Sequence, residues 1–442
     1  MTILFPPTYD ESLAQRAIQA LESKHDVAKV EEIVAKAIDQ VSEELREISL
    51  DLHKNPEIGM EEHHAHKVLT DYLEKKGFQV TRHTYGMKTA FVAEYSQGEG
   101  RRIGFCSEYD ALPGLGQACG HNLIAIGGVA CAIATKALLE QKVASGKVVL
   151  FGTPAEERFI GKIVMLKKRA FQDNVDVCLM LHPCAADLQY GQMIAAQDVF
   201  VEFRGKASHA GASPWEGVNA LDAMVQAWAN IGMLRQQLKP TDRVHGIIKD
   251  GGSAPNVIPD YTSALLYCRT TKATDIQRLM TKVENCFKAA AAATGCEVTW
   301  KWRDLGTTRD VVQNTHMTEV YANYMKKQGV KFLSRERQEA LPGGSTDMGN
   351  VSYALPCIHP LYSCHTKAAN HTVEFTEDAG KPAAHDDTIR ASKALSLSGA
   401  YVLLDGNFLQ GVKQEYELMV PEEYRTGLDP DVFLKPECSC KM

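Results

Sequence analysis

Basic residues are in deficit in this chain. Forty-eight lysines and arginines stand against 55 aspartates and glutamates, a net charge of -7. A nucleic-acid partner would demand a basic face, so this balance argues against one. Long apolar runs are scarce as well. The least polar stretch, Leu123 to Thr135, is shorter than a membrane span and is closed by Lys136, so no membrane partner is expected. Met1 to Glu11 has neither the basic start nor the apolar core of a signal peptide. The 12 cysteines are scattered rather than spaced as a disulfide framework, which implies reduced thiols and a cytoplasmic location. No internal repeat or low-complexity tract is present. At the C-terminus Ser439 occupies the place where a prenylation motif needs cysteine. Cys440-Lys441-Met442 loosely resembles a peroxisomal address, with an accidental frayed tail as the plainer reading.

What is present is the balance of a soluble globular protein, 45% hydrophobic and 23% charged over 442 residues. That length predicts two domains. Glu11 to Leu52 carries helical periodicity, enough for one or two surface helices. A second helix is predicted over about Glu61 to Lys76, where His63, His64 and His66 read as a solvated face rather than a metal cluster. Strand-like runs at Phe78–Arg82, Ala90–Tyr95 and Arg102–Cys106 precede an apolar helix starting at Asn122. Further buried strands at Lys147–Thr153 and Val177–Leu181 predict a mainly parallel α/β sheet.

From about 197 the pattern becomes strand-helix-strand-strand-helix-strand. It suits a compact α+β, ferredoxin-like domain over 197–311, inserted between catalytic segments 1–196 and 312–442. A helix is expected over Thr388–Leu404. The acidic, proline-containing stretch beyond Gln414 reads as loosely ordered.

Chemistry gathers at strand ends, where α/β sheets place their sites. Cys119 and His121 are separated only by Gly120, so both could serve one metal ion. A helix N-terminus beside Cys119 would favour its thiolate. Alone, the pair is equally a buried cysteine beside a hydrogen-bonded histidine. Glu156 and Glu157 follow a buried strand, and on an extended backbone they would point opposite ways, one to metal and one to substrate. His182 ends the next strand.

Together these motifs resemble the M20 metallopeptidases and amidohydrolases, in particular the D branch. The resemblance rests on Ala118-Cys119-Gly120-His121, Pro154-Ala155-Glu156-Glu157, Ser208-His209-Ala210, Asn256-Val257-Ile258-Pro259-Asp260 and Asn370-His371-Thr372, over roughly His53 to Leu404. Ser107-Glu108-Tyr109-Asp110-Ala111-Leu112-Pro113 and Gly344-Ser345-Thr346-Asp347 are most similar to members acting on dipeptides such as β-alanyl-lysine. The resemblance implies two divalent ions sharing Cys119, zinc by ligand type with manganese or cobalt as options. His121 and Glu157 would serve one ion, His182 and His371 the other, with His365 competing for the last place.

By the same resemblance Glu156 is the general base that activates a metal-bridging water. His209 stabilises an oxyanion in the other subunit of a homodimer, and Asn256 and Arg269 contact substrate. Gln117 and Asn122 depart from the family pattern at positions that should only tune the ligands. The implied activity is cleavage of a dipeptide or an N-acyl amino acid. An auxin-conjugate type of amidohydrolase, or an inactive M20-like binding protein, remains as an alternative.

Overall fold

Caps define the helices that open the chain. The computed structural model describes residues 9–341 and 343–430. The peptide Cys440-Lys441-Met442 therefore lies outside the described residues. The Asp10 side chain accepts from the Ser12 amide and starts α1 (Glu11–Glu22). Asp26 does the same for α2 (Val27–Asp39), and α3 (Ser42–Lys54) carries Glu43 and Glu44 in its first turn. Three helices thus stand where one or two were expected. Their apolar positions, among them Ile18, Leu21, Val30, Ile33, Val34 and Ile38, recur at helical spacing and join one core.

In α4 (His63–Lys75) the histidines divide. His66 is buried, stacks on His83 with ring centroids 4.7 Å apart, and faces the core. The solvated-face reading therefore fails for it, because His66 lies on the same helical face as Leu69, Thr70 and Leu73.

Strands β1 (Gln79–Arg82), β2 (Phe91–Gln97) and β3 (Arg101–Ser107) lead into α5 (His121–Glu140). This helix is long and apolar enough to cross a membrane by length and composition, longer than the run read from sequence. Its apolar window, of mean hydropathy 1.8, is nevertheless 89% buried within the protein. A helix apolar on every side is a core helix when protein surrounds it. Gly128 permits its closeness to β3, since a Cβ there would lie 2.2 Å from Ser107 Oγ.

Next come β4 (Gly146–Gly152), the short helices α6 (Glu156–Phe159) and α7 (Gly161–Lys167), and strands β5 (Val177–Leu179) and β6 (His182–Cys184).

The inserted stretch then folds as β7 (Ala195–Arg204), α8 (Ala220–Leu234), β8 (Arg243–Asp250), β9 (Tyr261–Thr270), α9 (Ile276–Thr294) and β10 (Glu297–Trp302). All pairs in its sheet are antiparallel, in the order β10-β7-β9-β8, with both helices in one shared core. This is the ferredoxin-like arrangement.

The chain returns through α10 (Thr315–Lys327), α11 (Arg335–Glu339), α12 (Met348–Ala354), β11 (Cys357–Ile358), β12 (Leu361–Ser363), α13 (Val373–Ala379), α14 (Pro382–Leu404) and α15 (Gly406–Met419). Its sheet has the order β1-β2-β4-β3-β5-β11. The pairs β4-β3, β3-β5 and β5-β11 are parallel, while β1 and β2 form an antiparallel edge, so the sheet is mainly parallel.

Of the stretch beyond Gln414, the described residues 415–430 are ordered, against expectation. Glu415 is buried and accepts from the Thr315 amide and from His316 Nδ1, so it caps α10. By contact density the described chain forms two units. One runs to Gln192 and resumes from Val311 to Leu428; the other runs from Met193 to Asp310. Asp429 belongs with the second, accepting from the Thr307 amide and Arg309.

Candidate metal centre

Four chain segments of the larger unit are tied together around Cys119. Gly120 adopts φ +76°, and a Cβ there would sit 2.6 Å from Pro183 Cγ, so only glycine fits this turn. His121 is the first residue of α5. The His371 amide donates to the Ala118 carbonyl at 2.8 Å, and Asn370 Nδ2 donates to the Pro183 carbonyl at 3.1 Å. His371 itself sits at φ +69°, a strained position for a non-glycine residue.

The two glutamates do not lie on extended backbone, as expected from sequence. Ala155 takes a left-handed conformation and α6 begins at Glu156, so the two side chains leave the backbone about 100° apart rather than on opposite sides. The Ala155 amide donates to Glu62 Oε1 at 2.7 Å, and the Glu157 amide to Asp110 Oδ2 at 3.0 Å.

The donor atoms converge. Cys119 Sγ stands 3.5 Å from His182 Nε2, and His371 Nε2 3.2 Å from Glu157 Oε1. His121 Nε2 lies 3.8 Å from Glu157 Oε1 and 3.4 Å from Glu108 Oε2. Three groups have ligand atoms within 4.8 Å of one another: Cys119-His121-His182, Cys119-Glu157-His371 and Glu108-His121-Glu156. Cys119 is common to the first two.

Three of the converging atoms, His121 Nε2, Glu157 Oε1 and Glu108 Oε2, are buried and make no hydrogen bond. Orphaned polar atoms are costly, and several aimed at one gap need a cation to satisfy them. The ring orientations are already set, with His121 Nδ1 on Asp110 Oδ1 at 3.0 Å and His182 Nδ1 on the Pro183 carbonyl at 2.9 Å. That leaves both Nε2 atoms facing inward. One thiol, three imidazoles and a carboxylate fit two divalent ions sharing the thiol.

The electrostatics agree with such a load. Burial, helped by Glu157, pushes the Cys119 thiol well up, overriding the helix N-terminus expected to favour thiolate. A divalent charge is what would stabilise the thiolate here. Burial also lowers His182, to about 4, so it offers a neutral ring. At Glu157 burial is outweighed by the His371 ring 3.2 Å away and by the His121 charge, which lower its pKa to about 2. Its neighbour behaves oppositely. Burial, then Glu108, Glu157 and Asp347, push Glu156 well above the carboxylate range.

Residues 196–295 match the family model of the peptidase dimerisation domain. The Xaa-Arg dipeptidase of Mus musculus is 44% identical over 401 residues, covering 88% of this chain and 92% of that protein. Its Homo sapiens counterpart is 42% identical over 408 residues with the same coverage. The chain belongs to the M20 family. It is accordingly a metal-dependent hydrolase of amide bonds. A dinuclear metal-binding M20 peptidase from Bacillus subtilis shares its fold at TM-score 0.61 and 19% identity, over 83% of this chain and 99% of that one.

Within this M20 chain, the six residues Cys119, His121, Glu156, Glu157, His182 and His371 are brought together. His365 is not; its ring is exposed and faces Asp387 at 3.8 Å. His209, Asn256 and Arg269 lie in the other unit. There His209 Nδ1 accepts from the Gly211 and Ala212 amides, and the Ala210 amide donates to the Asn256 carbonyl. Arg269 Nε donates to His245 Nε2 at 3.2 Å. The Gln117 side chain accepts from the Asn122 amide, and Asn122 Nδ2 donates to Ser49 Oγ, so both departures from the family pattern serve the turn.

Sequence reasoning gave no site role to Glu108, Asp110, Lys162 or Asp347. Two acids spaced i and i+2 directly after a buried strand were the available signal for the first pair.

Proposed function

We propose that this protein is a zinc-dependent dipeptidase whose preferred substrates carry a basic C-terminal residue, and arginine first. The reading is carried by one observation: orphaned donors converge around Cys119 with Glu156 beside them. Similarity to Xaa-Arg dipeptidases over nearly the whole chain supports the substrate class. Divalent ions held by Cys119, His121, Glu157, His182 and His371 would polarise the amide carbonyl and acidify water. Glu156 takes a proton from the attacking water and returns it to the leaving amine, so that one C–O bond forms as the C–N bond breaks. Asp110 keeps the His121 ring oriented throughout.

Arg269 is proposed to bind the substrate carboxylate and Asn256 to line its approach, both on family resemblance. The same resemblance makes His209 an oxyanion donor for the second subunit of a homodimer. Exposed apolar residues on the inserted unit support that dimer: Ile247 and Ile248 on the edge strand β8, and Val225, Trp228 and Met233 on α8. A cytoplasmic location is supported by ten described cysteines that are all free.

The deciding experiment is a panel of Xaa-Arg, Xaa-Lys, β-alanyl and neutral dipeptides with N-acyl amino acids, read by amine release from zinc-loaded protein. Xaa-Arg dipeptides should give the highest kcat/KM. A preference for N-acyl amino acids would move the protein to the auxin-conjugate type, and silence on every substrate would favour a binding protein.

A further inference from the structure

Val244, Leu266 and Cys268 of the inserted sheet join the core under α8 and α9, so Arg243, His245, Tyr267 and Arg269 project from the opposite face. Cross-strand pairing sets His245 directly opposite Tyr267 and Arg243 directly opposite Arg269. Like charges placed in this way repel. The two arginines turn apart. Arg243 Nη1 donates to the Pro240 and Asp242 carbonyls, while Arg269 Nε donates to His245 Nε2 at 3.2 Å.

The His245 ring is held ready to accept that bond. It lies on Tyr267 with ring centroids 5.7 Å apart and planes 6° from parallel. The Arg269 guanidinium carbon stands 5.6 Å from the centre of the same Tyr267 ring, so one tyrosine carries both partners. Burial, then the Arg269 charge, lower the His245 pKa, so the ring is neutral at neutral pH and Nε2 keeps its lone pair. A guanidinium has two edges that fit a carboxylate: one that includes Nε, and one made by its two terminal amino groups. Committing Nε to His245 closes the first edge and orients the second.

We propose that His245 is a positioning residue that orients Arg269, so that the guanidinium meets the substrate carboxylate with its two terminal amino groups. Without the imidazole acceptor, the long arginine side chain regains rotamer freedom that substrate binding must remove again, and the repulsion from Arg243 is no longer offset. The effect belongs to binding, since no group of the metal centre is touched. A contact made equally in the ground state and the transition state moves KM and leaves kcat in place.

The inference rests on the reading that Arg269 binds the substrate carboxylate, and the choice of substrate separates the two claims. Steady-state kinetics on zinc-loaded protein compare an Xaa-Arg dipeptide with its C-terminal amide, which lacks the carboxylate. The amide is read by turnover or, if uncleaved, as a competitive inhibitor, and circular dichroism verifies folding. Arg269→Ala should lower kcat/KM for the acid by about 10- to 100-fold and leave the amide unaffected. Equal losses on both overturn the carboxylate reading, and the proposal with it. His245→Phe keeps a ring on Tyr267 and removes the acceptor. It should raise KM for the acid about three- to tenfold at constant kcat, with no change for the amide. His245→Gln, whose amide oxygen can replace Nε2, should recover most of that loss. In an Arg269→Ala background His245→Phe should add nothing. An unchanged KM in His245→Phe, an equal effect on the amide, or additive losses in the double variant would each overturn the proposal while the role of Arg269 stands. Should His245→Phe not fold, the β-branched His245→Val, which also lacks an acceptor, takes its place with the same expectation.

Discussion

Glu156 and Glu157 are neighbours in the chain with opposite electrostatics, and the opposition assigns their work. Glu157 is held near pKa 2 by His371 and His121 against the effect of burial, the state of a ligand. Glu156, half-buried beside Glu108, Glu157 and Asp347, is pushed well up, toward the range a proton carrier needs. Glu156→Gln keeps the shape and removes the proton site. It should retain its metal and lose about 10²–10⁴-fold in kcat, checked by steady-state kinetics beside elemental analysis. Near-normal kcat would show that another group is the base. Cysteines sort in the same way. Cys119 stands 3.5 Å from His182 Nε2, whereas Cys131 donates to the Ser392 carbonyl inside α5 packing and Cys178 sits against Cys106 in the sheet. Cys119→Ser should therefore release metal on dialysis while Cys131→Ser and Cys178→Ser retain it. Equal retention in all three would remove Cys119 from the centre.

At the scale of elements, what was legible followed periodicity. The alternation of the inserted unit and the helical spacing of α1 and α2 were readable because each element declares its own buried face. Partnerships distant in sequence were not readable. Glu415 looks like a solvated acid, yet it caps α10 from 100 residues away. Ala155 turns the chain at φ +62° without a glycine to mark it, so the true orientation of the glutamate pair was hidden. Cys119, His121 and His182 were found because a metal ligand is restricted to few residue types, whereas Lys162 resembles any other lysine. The reading of α4 failed at His66, and that failure carries a prediction. Burial, then His83 and Arg82, lower its pKa to about 4. The unfolded chain binds that proton near the ordinary value of 6.5 and the folded chain near 4. Stability from neutral His66 is thus complete above about pH 6.5 and is lost as pH falls through that window. His66→Leu removes the titration. Between pH 7.5 and 5.0 the wild type should lose about 2 kcal/mol more than the variant in urea unfolding. Parallel losses would mean that His66 is protonated in the fold.

At the scale of the molecule, the groups proposed for the chemistry are divided between two units of one chain. The metal donors and Glu156 belong to the larger unit, and His209 belongs to the inserted one. His209 has an exposed side chain whose Nδ1 is taken by two backbone amides, which leaves Nε2 facing outward as a donor. A donor aimed at a developing oxyanion is worth about 10²–10³ in kcat. His209→Ala should therefore depress kcat by that order while metal content stays unchanged, since none of the metal donors is touched. Whether the histidine serves its own chain or the partner is decided by mixing. His209→Ala retains Glu156, and Glu156→Gln retains His209, so a mixed dimer contains one complete site only if His209 acts across the interface. Random co-assembly makes half the dimers mixed, each with one working site, and predicts recovery of about a quarter of wild-type activity. Co-expression with two affinity tags would isolate the mixed species and confirm exchange. Verified mixed dimers with no recovered activity would confine His209 to its own chain or remove it from catalysis.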